Sequence, residues 1–221
     1  MKKNKEPAIN DLLRIMARLR APGGCPWDRE QDHRSLRWHA VEEVYELLDA
    51  IEAADDHEME EELGDLLLQV VFHCQLAQER GAFNFENVAR HIADKLVRRH
   101  PHVFGTVKVK DVAQVWANWE KIKRAEKHGT RHARPSALDG IPRHLPALLR
   151  AEKLLKKARR AKLAAASLPR RKLSRAQMKR ELFSLATYAQ ARGWSAEELL
   201  RVETQKQERV WRRLEKQAPR Q

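Results

Sequence analysis

The chain has 221 residues, 42% of them hydrophobic and 34% charged, with only 6% aromatic, 8 Gly and 9 Pro; so few turn formers argue against a sandwich or barrel, which needs turn signals every 8–12 residues or so. No apolar run approaches the ~18 residues of a membrane span, and the opening MKKNKEPAIN has no apolar stretch behind its basic start, so a cytoplasmic protein without a membrane partner is expected, with Cys25 and Cys74 as structural thiols. The formal net charge of +13 is unevenly held: residues 1–140 carry 22 Lys+Arg against 24 Asp+Glu, and residues 141–221 carry 22 against 7.

Apolar residues at helical spacing predict a first helix over Ile9–Arg20, stopped by Pro22-Gly23-Gly24. The polar stretch CPWDREQDHR reads as a loop. A second helix is predicted over Leu36–Ala54, with Val41, Val44, Leu47, Leu48 and Ile51 on its inner stripe, and a third over Glu58–Arg80, stopped by Gly81. Asn84 caps a fourth, with Val88, Ile92 and Leu96 facing inward, and His100-Pro101 ends it because the residue before proline avoids helical geometry. VFGTVKVK, from Val103 to Lys110, is short and polar-flanked and reads as a loop. A fifth helix, Asp111 to about Lys127, carries Val115, Trp119 and Ile122, and Gly129–Pro146 has the composition of a linker. Helices over Ala147–Ala166, Ser174–Arg192 and Ser195–Lys216 complete an all-α chain, divided into residues 1–130, a linker over 131–146, and residues 147–221.

The second and third helices carry the chemistry. Glu43 and Glu46 stand three apart on one face, as do Glu62 and Asp65. Both pairs adjoin apolar stripes, and an antiparallel hairpin across Asp55-Asp56-His57 makes the four carboxylates converge. Such a cluster is tolerable only if some carboxylates are protonated or a multivalent cation neutralises them. Oxygen donors without matching cysteine or histidine favour Mg²⁺ or Mn²⁺ over zinc. A single EExxE is usually a solvated helix face, and Glu42, Glu46, Glu58 and Glu61 suit that description; two i,i+3 pairs at a core boundary favour a site.

With EExxE at 42–46 and ExxD at 62–65, together with LLRIMARLR, GGCPWDREQ, ELGDLLLQVVF and DKLVRRHPHVF, residues 9–127 resemble the MazG family of nucleoside triphosphate pyrophosphohydrolases, in the all-α NTP pyrophosphatase superfamily. The resemblance implies a four-helix-bundle-like domain that hydrolyses a nucleoside triphosphate between the α and β phosphates. It also implies Mg²⁺ held by Glu43, Glu46, Glu62 and Asp65, with Glu42 or Glu61 orienting or deprotonating the attacking water. It places the KxxRR segment at the phosphates, with Lys95 and Arg99 first, sharing a face, and Arg98 beside them. It favours Trp119 for stacking on the base while the loop bearing Trp27 closes over it. His33 and His39, ahead of the acidic helix, are candidates for sugar or phosphate contacts, with Glu42, Glu58 and Glu61 near the substrate.

Members of the family often carry two copies of the bundle. Residues 176–213 align with a second copy's third and fourth helices, where the ExxD positions become Gln177 and Arg180, and no EExxE precedes them. The basic third therefore reads as a degenerate second repeat without a metal site. The resemblance implies a homodimer that clears surplus or non-canonical nucleotides. The competing reading is a catalytically reduced scaffold or regulatory protein that binds nucleic acid through the basic third.

Overall fold

A computed structural model describes residues 6–127, 129–130, 133–164 and 172–217, which form ten helices and no strand. These are α1 (Ala8–Arg20), α2 (Pro26–Glu30), α3 (His39–Ala53), α4 (Asp56–Glu79), α5 (Phe85–Arg99), α6 (Pro101–Phe104), α7 (Val112–Ala125), α8 (Ala147–Arg160), α9 (Arg175–Ala191) and α10 (Ala196–Gln217). The chain divides into two compact units, Met1–Val115 and Trp116–Gln221, so the division falls within α7, ahead of the compositional boundary.

In the first unit, Met16 of α1, Leu36, and Val71, Phe72 and Leu76 of α4 form the core, flanked by Ile9, Leu12, Leu13, Leu19, Leu68 and Phe85. A Cβ on Gly24 would lie 2.1 Å from the Leu19 carbonyl oxygen. Only glycine allows that approach, which lets the Cys25 N–H close on the same carbonyl at 2.8 Å. The following segment is not a loop: Pro26 sits in the first turn of α2, where no backbone N–H is needed. Arg20 fastens α2 to the bundle. Its guanidinium takes both Glu79 oxygens at 2.7 Å, donates to the carbonyls of Asp28 and Gln31, and lies over the Phe72 ring.

Helix α3 starts at His39 rather than Leu36, because residues 34–38 turn to bring Leu36 into the core. It ends at Ala54, which adopts a left-handed φ of 53°, and Asp55 caps α4 by accepting from the N–H groups of His57 and Glu58. This forms the expected antiparallel hairpin. The predicted inner stripe of α3 is mostly outside: Val41, Val44, Leu48 and Ile51 are exposed, and Ala50 is the buried residue of the helix. On α5, Ile92 and Leu96 are likewise exposed. Helical spacing marks an apolar face but does not say what covers it, and among the described residues these positions lie exposed.

An Asn84–Asn87 capping box starts α5, and His100 ends it before Pro101. Pro101 then opens α6, a short turn of helix that takes in Val103 and Phe104, where a loop was predicted; Gly105 onward is irregular as far as α7.

In the second unit, α8 packs on α10 around Leu138, Leu154 and Ala158, with Ile141, Leu163, Ala164 and Trp211 beside them. The stretch with linker composition is thus partly built in, Leu138 being 1% exposed. The Arg201 side chain donates to the carbonyls of Arg143 and Leu145, and the Glu197 carboxylate accepts from the Ala147 N–H, capping α8 from a helix 50 residues further on. Arg150 is buried against Glu208, which also holds Arg212, itself paired with Asp139. Helix α8 stops at Arg160, short of the predicted Ala166, which lies outside the described residues. Helix α9 has a Ser174–Gln177 capping box and one buried residue, Ala189. No helix among the described residues is long and apolar enough to cross a membrane.

Candidate active site

The hairpin sets α3 and α4 side by side, and their i,i+3 acids meet across the seam. Carboxylate oxygens of Glu43, Glu62 and Asp65 lie within 4.8 Å of one another, each residue half-buried. Glu46, one turn along α3, stays exposed beside this group. Gln69, one turn beyond Asp65 and 8% exposed, donates from Nε2 to Glu43 Oε1 at 3.2 Å. The sequence reading missed Gln69, although its positions four from Asp65 and seven from Glu62 placed it on the acidic face of α4.

The electrostatics follow from this placement. Burial pushes the Glu43 carboxyl above its ordinary range, the Asp65 charge adds to it, and the Gln69 hydrogen bond offsets part of the effect. Glu62 is raised as well, first by desolvation and then by the charges of Glu46, Asp65 and Glu43. One Glu62 oxygen and the Gln69 side-chain oxygen are sealed from solvent without a hydrogen-bond partner among the described residues. Unsatisfied buried oxygens beside mutually repelling carboxylates are the donor set a hard divalent cation would stabilise.

The other predicted residues fall into separate places. His39 opens α3, its Nδ1 3.8 Å from Glu42 and its ring edge-on to Trp27 at 6.0 Å, so Trp27, His39 and Glu42 adjoin. Glu58 and Glu61 form an exposed group with His57 on the first turns of α4, their donor atoms within 4.8 Å. Lys95 and Arg99 are half-buried and Arg98 exposed on the last turns of α5. Trp119 is half-buried on α7, in the second unit.

His33 is not a solvent-facing group. Its ring stacks on His73 of α4 at 5.1 Å with the two Nδ1 atoms 2.9 Å apart, and burial together with the His33 charge lowers the His73 pKa. The pair ties the segment after α2 to the middle of α4.

The profile of the MazG nucleotide pyrophosphohydrolase domain matches residues 31–104, which include all the acids of α3 and α4 and the cations of α5. The chain is 51% identical over 142 residues to YabN of Bacillus subtilis (strain 168), covering 64% of this chain and 28% of that protein. It is 51% identical over 150 residues to a nucleoside triphosphate pyrophosphohydrolase of Escherichia coli (strain K12), covering 67% and 56%. With the nucleoside triphosphate pyrophosphohydrolase/pyrophosphatase MazG of Thermotoga maritima it shares 46% over 156 residues, covering 70% and 58%. The chain thus spans between a quarter and three fifths of these relatives' lengths.

Proposed function

We infer, for a chain that belongs to the MazG nucleotide pyrophosphohydrolase family through its residues 31–104, that the acidic seam between α3 and α4 hydrolyses nucleoside triphosphates to the monophosphate and pyrophosphate. The observation that carries this reading is the convergence of Glu43, Glu62 and Asp65 with a buried, unpartnered Glu62 oxygen. Glu43, Glu62 and Asp65, with Glu46 beside them, are the residues that hold Mg²⁺, or Mn²⁺ in its place. When bound, such an ion neutralises phosphate charge and lowers the pKa of a coordinated water.

The chain's own residues do the rest. Gln69 holds the Glu43 carboxylate through its Nε2 hydrogen bond to Oε1. Glu42 or Glu61, next in sequence to Glu43 and Glu62, orients the attacking water and takes its proton. Lys95 and Arg99, on one face of α5 with Arg98 next to them, bind the phosphates. Trp27, held against His39, closes on the nucleotide, and His39 and Glu58 complete the surroundings. Clearing the nucleotide pool places the protein in the cytoplasm, in keeping with its two free thiols. The exposed apolar face of α3 supports a homodimer.

The test is pyrophosphate release from a panel of NTPs and dNTPs with and without Mg²⁺, in wild type, Glu43→Gln and Glu62→Gln. Metal-dependent release that falls at least a hundredfold in both variants is the expected result. No release from any nucleotide by folded wild type overturns the reading.

A further inference from the structure

The second unit holds 28 Lys+Arg against 10 Asp+Glu, whereas the first holds 16 against 21. The distribution of this excess is specific. On α9, Lys179, Arg180, Phe183 and Tyr188 line one shallow depression of about 750 Å³. From Tyr188 the surface continues to Arg192, whose guanidinium lies 5.3 Å from the Tyr188 ring and 6.0 Å from that of Trp194. The two rings meet edge to face at 6.3 Å.

Phe183 is 76% exposed, Tyr188 54% and Trp194 51%. These exposed rings are interleaved with cations, and Phe183 and Tyr188 lie on a different face of α9 from the stripe of Met178, Leu182 and Leu185, which is exposed without cations among it. Lys179 and Arg180 have no ion pair among the described residues. A second basic face lies on α10, where exposed Lys206, Arg209, Arg213 and Lys216 fall on one side of the helix, with Glu203 opposing only Lys206.

We propose that the α9 platform of Lys179, Arg180, Phe183, Tyr188, Arg192 and Trp194 binds single-stranded nucleic acid. Cations follow the phosphates and release counterions. The rings stack on unpaired bases, every one of which offers a π-face, so binding tolerates many sequences but needs the bases unstacked from a duplex. That second requirement separates this ligand from a duplex, from an anionic membrane and from a nucleoside triphosphate, none of which presents a run of free bases along a polyanion.

The experiment is fluorescence anisotropy of the full-length chain with a labelled 20-mer of uridine, a labelled 20-mer of thymidine, a 20-bp duplex, and phosphatidylserine vesicles. Three variants accompany wild type: Phe183→Ala/Tyr188→Ala, Lys179→Gln/Arg180→Gln, and Phe183→Leu as a test of apolar contact without the ring. The expected result is micromolar binding of both single strands at low salt, at least tenfold weaker binding of the duplex, and a slope of log affinity against log salt of about −2. The double alanine variant weakens single-strand binding at least tenfold with little change in slope, Phe183→Leu weakens it as well, and the double glutamine variant flattens the slope. Circular dichroism reports the helices of all three, whose altered side chains are exposed. Equal affinity for duplex and single strand, undiminished binding in the alanine variant, or binding of vesicles without oligonucleotide each overturns the proposal.

Discussion

Gln69 on α4 donates a hydrogen bond to Glu43 on α3 at 3.2 Å, the bond that joins the two acidic helices at the seam. Glu43 carries a raised pKa among neighbouring carboxylates, and this amide is the donor that partly offsets it. Replacing Gln69 with Leu keeps the volume and removes the donor. Pyrophosphate release from the variant falls about tenfold or more at neutral pH, in line with the loss of an orienting partner behind a ligand. Gln69→Glu, which adds a fifth acid to the face, falls further. Steady-state kinetics of the two variants at fixed Mg²⁺ check this.

The same carboxylates make the metal-free first unit pH-sensitive. Glu43 and Glu62 have folded-state pKa values above their unfolded ones, so the folded state binds more protons in that window. Their contribution to stability is therefore greatest at low pH and declines as pH rises from about 4.5 through the raised values. Glu62→Gln raises the Tm of the metal-free protein at pH 7, and the gain vanishes as pH falls below the ordinary carboxylate range. Saturating Mg²⁺ reverses the order, wild type then melting above the variant. Thermal melts in chelator and in Mg²⁺ read both effects.

The second unit has the opposite dependence. Arg150 and Arg212 hold Glu208 below the usual carboxylate range against the pull of burial. That contribution is fully present above the unfolded pKa and is lost as pH falls through the depressed value. Glu208→Gln leaves Arg150, only 5% exposed, without its counter-charge, and destabilises by about 3 kcal/mol at pH 7. Arg150→Met with Glu208→Leu costs far less. Denaturant titrations of the single and double variants check the pair.

Arg20→Ala breaks a bidentate ion pair and releases two carbonyls of the α2 segment. Arg20 is buried but Glu79 is partly exposed, so the expected loss is about 2 kcal/mol rather than the larger cost of a fully buried pair. Hydrogen exchange of residues 26–31 accelerates more than that of α4. Arg20→Lys recovers little, because an ammonium cannot span Glu79 in two places and still reach the carbonyls.

If α3 is covered by a second copy, a charge on its exposed stripe removes the cover. Leu48→Glu, at a residue 47% exposed in the single chain, yields monomers at micromolar concentration by sedimentation, with the helical content kept.

The helices were legible where local chemistry decides them. Asn84, Asp55 and Ser174 announce their helices by capping, and Pro101 ends α5 by removing helical freedom from His100. The acidic seam was legible in part: Glu43, Glu62 and Asp65 meet across two helices joined by a short turn, while Glu46, the fourth acid expected there, stays exposed beside them. What periodicity could not show is which apolar faces find cover. Val44, Ile51 and Leu96 look like core in a helical projection and lie exposed. Nor does spacing reveal contacts between distant positions: His33 with His73, and Arg20 with Glu79, depend on how the segment after Gly24 folds back. Leu138 was hidden by its neighbours, since Gly, Pro and His around it give linker composition to a stretch that supplies a core residue.

Because the Ala147 N–H finds its acceptor on Glu197, the two units differ in when they can be completed during synthesis. The first builds its core from residues that have all left the ribosome before α8 is translated. Helix α8 emerges with an uncapped end and a bare flank, and must wait for α10, made 50 residues later, to supply both. Translation thus delivers a closed first unit trailed by an unfinished second one, and a pause between codons 160 and 196 prolongs that interval without touching the acidic seam.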